Sequence, residues 1–296
     1  MSFSPHGIVP AMVTPFDASE ALNEAALAEL VDRLIADGVH GVFVLGSQGE
    51  YYALTMEEKR RAIEVTVAAA DRRVPVYAGT GATTTREAIA LTRMAEAAGA
   101  DAVSVITPTF ITPSQDELYD HYREIAGTTR LPVLLYSNPG RTGLQISTAL
   151  AARLAKIHNI VGIKDSSGDL STTAEFINRM PPTFRVFAGR DTLVFATLLH
   201  GGAGAVAASG NVASRHLVRI YDACVAGDLA TARTTQAQLA PLRAAFSLGT
   251  FPAVIKEALL MTGLDVGPCR KPVGPLTEDS RNSLRHVMGN LGLLSR

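Results

Sequence analysis

The sequence lacks several patterns that mark large classes of protein. Its two cysteines, Cys224 and Cys269, do not make a disulfide framework. It has no basic tract and a formal net charge of −1, so we expect no nucleic-acid partner. No apolar run approaches the length of a membrane span, and the start lacks the charged and apolar regions of a signal peptide. We therefore expect a cytoplasmic protein that does not bind membranes and whose partners are small molecules.

Metal-binding patterns and lysine are also scarce. The seven histidines show no metal-ligand spacing, so we expect no metal site. Five lysines stand against twenty-two arginines, and one of them, Lys164, ends the apolar run 160–163. Burial of an ammonium is costly and lowers its pKa, which leaves a neutral amine able to attack a ketone. The alternative is a lysine that caps the strand and reaches water or a carboxylate.

What the chain does contain is an alternation of short β-rich runs with helical stretches, about every 25 to 30 residues. Eight strands are predicted, over residues 7–16, 39–47, 74–81, 100–108, 131–139, 160–167, 184–191 and 202–209. Helices are predicted between them, among them 22–36, 55–70, 85–98, 113–126 and 147–157. Eight βα units predict a parallel TIM (β/α)₈ barrel. The alternative, a doubly wound sheet, needs a glycine-rich first turn, and residues 13–17 do not match that fingerprint.

The chain continues beyond the eighth strand through further helical patterns. They lie near 216–226, 229–245, 251–261 and 278–293. A barrel of this kind takes about 250 residues. We therefore predict a barrel catalytic domain over residues 1–225 and a small C-terminal helical region over 226–296.

In such a barrel the chemistry belongs at the C-terminal ends of the strands. The second strand ends in the turn 46–50, whose two glycines could offer backbone N–H groups to a carboxylate beside the Ser47 hydroxyl. The fifth strand brings Tyr136 and Arg141 to the same end, and the sixth brings Lys164. An amine, a phenol, an arginine and a carboxylate nest suit chemistry on a 2-oxo acid. A neutral lysine forms an imine with pyruvate, the imine yields an enamine nucleophile, and Tyr136 is placed to shuttle protons.

These segments make the chain resemble the dihydrodipicolinate synthase and N-acetylneuraminate lyase family of class I, Schiff-base aldolases. The resemblance runs through residues 7–16, 46–50, 136–143, 162–165 and 201–206. It implies that Lys164 forms the imine, that Tyr136 is the proton shuttle and that Ser47 is a hydroxyl of the relay. It implies no cofactor beyond the covalent imine with Lys164, and a homotetramer built as a dimer of dimers.

The resemblance also implies a set of substrate-binding residues. The turn with Gln48 and Gly49 would bind the pyruvate carboxylate, and the Val206 carbonyl would line the same pocket. Arg141 matches the arginine that holds the carboxylate of aspartate semialdehyde in the synthases, and a forked guanidinium suits that group. The alternative is that Arg141 pairs with an internal carboxylate such as Glu50.

Two departures from the family pattern bear on the activity. Phe110 stands where the synthases have a tyrosine that reaches into the neighbouring subunit's active site, so one hydroxyl of the relay is missing. Gln48 stands where the synthases have a second threonine, and its amide narrows the pocket and changes its donors. The sequence therefore predicts a carbon–oxygen or carbon–carbon lyase acting on a small 2-oxo acid, such as a 2-keto-3-deoxy sugar acid or a related imino acid, by cleavage, condensation, dehydration or deamination. The first alternative is a dihydrodipicolinate synthase, and the second is an inactive module that binds 2-oxo acids.

Overall fold

The computed structural model describes residues 4–294, and its centre is a barrel of eight parallel strands. The strands are β1 (Gly7–Ile8), β2 (Val42–Val44), β3 (Val76–Gly79), β4 (Ala102–Ile106), β5 (Val133–Ser137), β6 (Ile160–Asp165), β7 (Arg185–Ala188) and β8 (Gly204–Ala205). They follow one another in chain order around the sheet, and β1 pairs with β8. The backbone just after β1 closes the ring, because Phe43 N–H donates to the Pro10 carbonyl at 3.0 Å and Met12 N–H donates to the Phe43 carbonyl at 2.9 Å. The predicted barrel is confirmed.

Helices cover the outside of the barrel and continue beyond it. They are α1 (Glu24–Ala36), α2 (Met56–Ala70), α3 (Thr85–Ala97), α4 (Gln115–Ala126), α5 (Pro139–Thr142), α6 (Thr148–Leu154), α7 (Leu170–Arg179), α8 (Val194–Leu199), α9 (Gly210–Val225), α10 (Leu229–Ala244), α11 (Ala253–Met261) and α12 (Glu278–Asn290). Local chemistry fixes several starts: Thr55 and Ser114 each form a full capping box with the glutamate three residues later. Among residues 4–294, no helix combines the length and the apolar character that crossing a membrane requires.

Two packed layers hold the barrel together. Between strands and helices lies a large apolar cluster built from residues such as Leu30, Ile63, Val105 and Ile163. The barrel interior holds a smaller one, which includes Phe43, Leu134 and Phe187. Because side chains alternate along a strand, the interior residues of β5 and β6 recur at every second position, and they end in Tyr136 and Lys164 at the C-terminal rim.

The structure adds elements that periodicity did not predict. Helix α7 was not predicted, because most of its residues are polar and its apolar positions are few. Helix α9 begins at Gly210, six residues before the predicted start. Helices α9 and α10 pack together, and α10 to α12 form an apolar cluster with β8 and α9. The position of the boundary between 225 and 226 stays a prediction.

Candidate active site

A cavity of about 380 Å³ opens at the C-terminal rim of the barrel. Six of the predicted site residues line it: Ser47, Gln48, Tyr136, Arg141, Lys164 and Val206. These residues come from four different strand ends, and the parallel strands bring them to one edge. The structure thus gathers most of the predicted set around a single pocket.

Lys164 lies at the bottom of this cavity and is only 4% exposed. Its Nζ atom sits 4.0 Å from the centre of the Tyr136 ring and 5.1 Å from the centre of the Phe43 ring. No carboxylate of residues 4–294 forms an ion pair with it, and the neighbouring Asp165 carboxylate is occupied by Ser167 and Thr173. Within residues 4–294, the alternative of a carboxylate-paired lysine is therefore wrong, and Lys164 meets solvent through this cavity. A buried amine without a counter-ion, held against two aromatic faces, suits a nucleophile.

The Tyr136 phenol is held beside this amine. Tyr136 lies opposite Lys164 in the pairing of β5 with β6, and Asn138 Nδ2 donates a hydrogen bond to its hydroxyl at 2.9 Å. Burial raises the pKa of this phenol. The positive charge of Lys164 and hydrogen bonds with Ser47, Asn138 and Ser166 outweigh burial, so that the pKa lies below its usual value. A phenol with a lowered pKa, next to an amine, can both give and take a proton.

The turn 46–50 carries two polar side chains to the other wall of the cavity. Ser47 lines the cavity, and so does Gln48, whose amide oxygen and nitrogen are buried and find no partner among the described residues. Gly49 is not among the lining residues. Its N–H bonds to the Gly46 carbonyl at 3.0 Å, and its carbonyl accepts from Thr14 Oγ1 at 2.6 Å. Ser47 and Gln48 are therefore the residues of this turn that line the cavity, and substrate contact by Gly49 stays a prediction.

Behind the turn lies a buried ion pair that the sequence reasoning missed. Glu50 is 1% exposed, and its Oε1 lies 2.8 Å from Nζ of Lys256, which is 4% exposed. Glu50 Oε2 accepts from the Arg270 N–H at 3.0 Å, and Lys256 also donates to the Pro268 carbonyl at 2.7 Å. Glu50 itself adopts a left-handed conformation with φ 52°. The pair fixes the end of the turn, and a lysine inside the apolar run 253–261 was the signal that could have revealed it.

Arginines surround the outer part of the cavity. Arg141, from α5, places its guanidinium 4.3 Å from the centre of the Phe251 ring and forms no ion pair within residues 4–294. The alternative that it pairs with Glu50 is wrong, since Lys256 occupies that carboxylate. Arg190 and Arg243, which the sequence reasoning also missed, line the cavity beside it. Asn138 and Ser166 were missed too, although each follows a predicted residue by two positions and so lies on the same face.

Phe110 lies away from this cavity. Its side chain is 99% exposed and its backbone adopts φ 72°, which is unusual for a large residue. It does not contribute to the lining of its own chain's pocket. A contact between Phe110 and substrate therefore stays a prediction, and it would require a second copy of the chain. Residues 4–294 contain no cluster of three or more side chains that could hold a metal ion.

Comparison with known proteins identifies one protein family over nearly the whole chain. The model of the dihydrodipicolinate synthetase family matches residues 4–290. A 4-hydroxy-tetrahydrodipicolinate synthase of Methanopyrus kandleri is 39% identical over 296 residues, which is 99% of each chain. That of Bacillus subtilis is also 39% identical, over 95% of this chain and 97% of its own.

Solved structures agree with these sequence matches. A dihydrodipicolinate synthase from Bacillus anthracis superposes with a TM-score of 0.94 at 38% identity, covering 98% of this chain and 99% of its own. YagE, a prophage protein of E. coli K12 that belongs to the dihydrodipicolinic acid synthase family and was solved in complex with pyruvate, gives 0.94 at 37% identity over 97% and 99%.

Proposed function

Because the chain belongs to the dihydrodipicolinate synthetase family, whose members are lyases of the class I aldolase type, we propose that it forms an imine between Lys164 and pyruvate and joins the resulting enamine to an aldehyde. The observation that carries this proposal is the buried Lys164 amine, 4.0 Å from the Tyr136 ring and without a counter-ion among the described residues. The names of the relatives support aspartate semialdehyde as the aldehyde, and the product would be 4-hydroxy-tetrahydrodipicolinate.

The residues of the pocket have separate roles in this reaction. The deprotonated Nζ of Lys164 attacks the ketone carbon of pyruvate, and the carbinolamine loses water to give the protonated imine. Tyr136, with Ser47 beside it, supplies the proton that leaves with the water. Removal of a proton from the methyl group gives the enamine, which forms a carbon–carbon bond to the aldehyde carbon while the aldehyde oxygen takes up a proton. With aspartate semialdehyde, the amino group of the bound product attacks the imine carbon and displaces the Lys164 amine, which gives the cyclic product with a net loss of one water. With a second substrate that lacks an amino group, hydrolysis of the imine consumes one water and releases an open-chain product from Lys164.

Binding of the pyruvate carboxylate falls to the turn 46–50. Ser47 and Gln48 line one wall of the cavity, and the Ser47 hydroxyl and the backbone N–H groups of this turn can donate hydrogen bonds to a carboxylate. The reaction requires no further cofactor, since the imine itself is the electron sink.

Specific observations favour a second candidate, the cleavage or formation of another small 2-oxo acid such as a 2-keto-3-deoxy sugar acid or a related imino acid. Phe110 has no hydroxyl to add to the relay, and the Gln48 amide replaces a threonine of the synthases. Both candidates share the imine on Lys164 and differ in the second substrate.

Borohydride reduction in the presence of pyruvate tests the shared step. We expect a mass increase at Lys164 in the wild type and none in Lys164→Ala, which should also lose all turnover while remaining folded. Lys156→Ala is the matched control, because Lys156 is an exposed lysine on the outside of the barrel. Absence of any adduct with any 2-oxo acid would support the inactive binding module.

Condensation assays then separate the two candidates. The unmodified protein is incubated with pyruvate and aspartate semialdehyde, and in parallel with a panel of 2-keto-3-deoxy acids and imino acids. Efficient condensation with aspartate semialdehyde would establish the synthase. A very slow reaction there, with a faster one in the panel, would establish the second candidate.

Assembly and location complete the proposal. We propose a homotetramer, in which the exposed Phe110 is covered by another copy of the chain, and residence in the cytoplasm. Size-exclusion chromatography with light scattering measures the first, and cell fractionation measures the second.

A further inference from the structure

The outer part of the cavity carries an excess of positive charge. The charged residues that line this outer part are the cations Arg141, Arg190 and Arg243, and the single anion Asp191. The whole chain has a formal net charge of only −1, so this excess is a local feature of the pocket. Like charges in one partly buried place repel each other, and a bound anion is the usual compensation.

The one carboxylate in this region does not neutralise the three guanidiniums. Asp191 Oδ1 accepts from the Ser209 N–H at 2.7 Å and from the Ser209 hydroxyl, so it is directed into the barrel wall. Its other oxygen lies 3.6 Å from Nε of Arg243, a long ion pair. Burial lowers the pKa of Arg243, Asp191 partly opposes this, and the positive charges of Arg190 and Arg141 lower it further. Among the residues that the structure describes, the guanidiniums of Arg141 and Arg190 are thus left without a counter-ion.

Each of the three arginines is held in place by contacts other than an acid. The Arg190 Nε donates to the Ser166 carbonyl at 3.3 Å, which ties this side chain to the strand end that carries Lys164. The Arg243 guanidinium lies 4.9 Å from the centre of the Phe246 ring, and Arg141 stacks on Phe251. Aromatic faces orient a guanidinium without using its hydrogen-bond donors. The donors of Arg141 and the terminal nitrogens of Arg190 therefore remain open to a ligand.

We propose that Arg190 and Arg243 join Arg141 in one anion-binding subsite, which selects a second substrate whose far end carries net negative charge. This inference rests on the proposed imine with pyruvate at Lys164, because that imine fixes the other half of the substrate at the bottom of the pocket. The anion is a carboxylate or a phosphate, both of which match the forked donors of arginine.

Charge distinguishes the two candidate reactions in this subsite. Aspartate semialdehyde carries an ammonium as well as a carboxylate, and Asp191, the single carboxylate that lines the cavity, is already bound by Ser209 and lies 3.6 Å from Arg243 Nε. Succinate semialdehyde has the same chain length and the same carboxylate but no ammonium. We expect the subsite to give the lower KM to the aldehyde without the ammonium, and such a result would favour the second candidate of the proposed function, with sugar diacids or phosphorylated sugar acids as its substrates.

Matched aldehydes test the subsite in the unmodified protein. Condensation with pyruvate is measured for succinate semialdehyde against butanal, for succinate semialdehyde against aspartate semialdehyde, and for glyceraldehyde 3-phosphate against glyceraldehyde. We expect kcat/KM to rise by about 100-fold or more for an anionic partner over its neutral match, the effect of one or two charged hydrogen bonds. A larger gain in the carboxylate pair identifies a carboxylate subsite, and a larger gain in the phosphate pair identifies a phosphate subsite.

Single-residue variants test whether Arg190 and Arg243 cause the preference for anionic aldehydes. Arg190→Gln and Arg243→Gln should each reduce the preference for the anionic aldehyde by about tenfold, while the neutral aldehyde and borohydride trapping with pyruvate change little. Arg190→Lys should keep part of the preference, because it keeps the charge. Arg179→Gln is the matched control, since Arg179 is an exposed arginine on α7 that pairs with Glu175.

Failure of the inference and failure of the proposed function give different results. Trapping on Lys164 together with equal rates for anionic and neutral aldehydes, or a much lower KM for aspartate semialdehyde than for succinate semialdehyde, would overturn the subsite and leave the imine chemistry intact. Absence of trapping would instead overturn the proposed function. Should a variant fail to fold, the comparison of aldehydes in the wild type still tests whether the subsite prefers an anion.

Discussion

Removal of the positive charge from Lys256 should destabilise the protein strongly. In Lys256→Met the side chain keeps an apolar stem of similar volume, although it loses the Nζ atom that lies 4.2 Å from the centre of the Phe16 ring. Glu50, 1% exposed, then retains one hydrogen bond from the Arg270 N–H at 3.0 Å but no counter-ion. Breaking a buried ion pair in this way costs about 3–5 kcal/mol, because the remaining charge is left uncompensated.

The double variant Glu50→Gln/Lys256→Met distinguishes the effect of an uncompensated charge on stability from the effect of changed packing. With both charges gone, no uncompensated ion remains, and we expect most of the lost stability to return. Urea unfolding followed by circular dichroism gives the free energy of unfolding for each variant. Lys156→Met serves as the control, because that lysine is exposed and its replacement should change stability by less than about 0.5 kcal/mol.

Kinetics should report on the turn that the pair supports. Since Glu50 ends the turn 46–50 and its side chain is held only by the C-terminal region, Lys256→Met should raise KM for pyruvate more than it lowers kcat. A free energy of unfolding within about 1 kcal/mol of the wild type, together with an unchanged KM, would refute the role given to this pair.

Three further predictions concern single residues. Tyr136→Phe should lower kcat by about 10²–10⁴ with far less effect on pyruvate affinity, and a change confined to KM would show that the phenol only positions substrate. Arg141→Ala should raise KM for the aldehyde and leave borohydride trapping with pyruvate intact; weaker trapping would contradict this. Burial lowers the pKa of His121 from 6.5 to about 4, so the unfolded chain binds its proton first as the pH falls. The stability that this neutral histidine contributes is therefore present above pH 6.5 and lost toward about pH 4, and a thermal-denaturation series should show a shallower acid limb in His121→Gln.

The sequence predicted the fold and the bottom of the pocket for a simple physical reason. Buried parallel strands are short, continuous apolar runs, so all eight could be read locally, and the barrel then dictated which ends meet. Lys164 stood out because an ammonium at the end of such a run is costly and because lysine is scarce in this chain. Helix α7, by contrast, was missed because its sequence is mostly polar and its buried face rests on residues such as Phe176.

The outer part of the pocket and the buried pair of Glu50 with Lys256 could not be predicted from local sequence patterns. Separate parts of the chain contribute Arg190, Arg243 and Lys256. The sequence around each of them does not predict that it lies near the turn that follows the second strand. Their partners follow from the packing of α10 and α11 onto the rim, which depends on long-range contacts. The alternative that Arg141 pairs with Glu50 was wrong for the same reason. Sequence alone does not predict which cation pairs with a buried carboxylate.

The link between Glu50 and the C-terminal region also sets an order of events during synthesis. The Arg270 N–H to Glu50 hydrogen bond joins residues 220 positions apart, and the Lys256 ion pair is nearly as long-range. A nascent chain on the ribosome that has already produced all eight strands and Lys164 still lacks the groups that brace the turn 46–50. Completion of the pocket therefore waits for translation of the last sixth of the protein, so that a prematurely terminated chain carries Lys164 without the finished pocket.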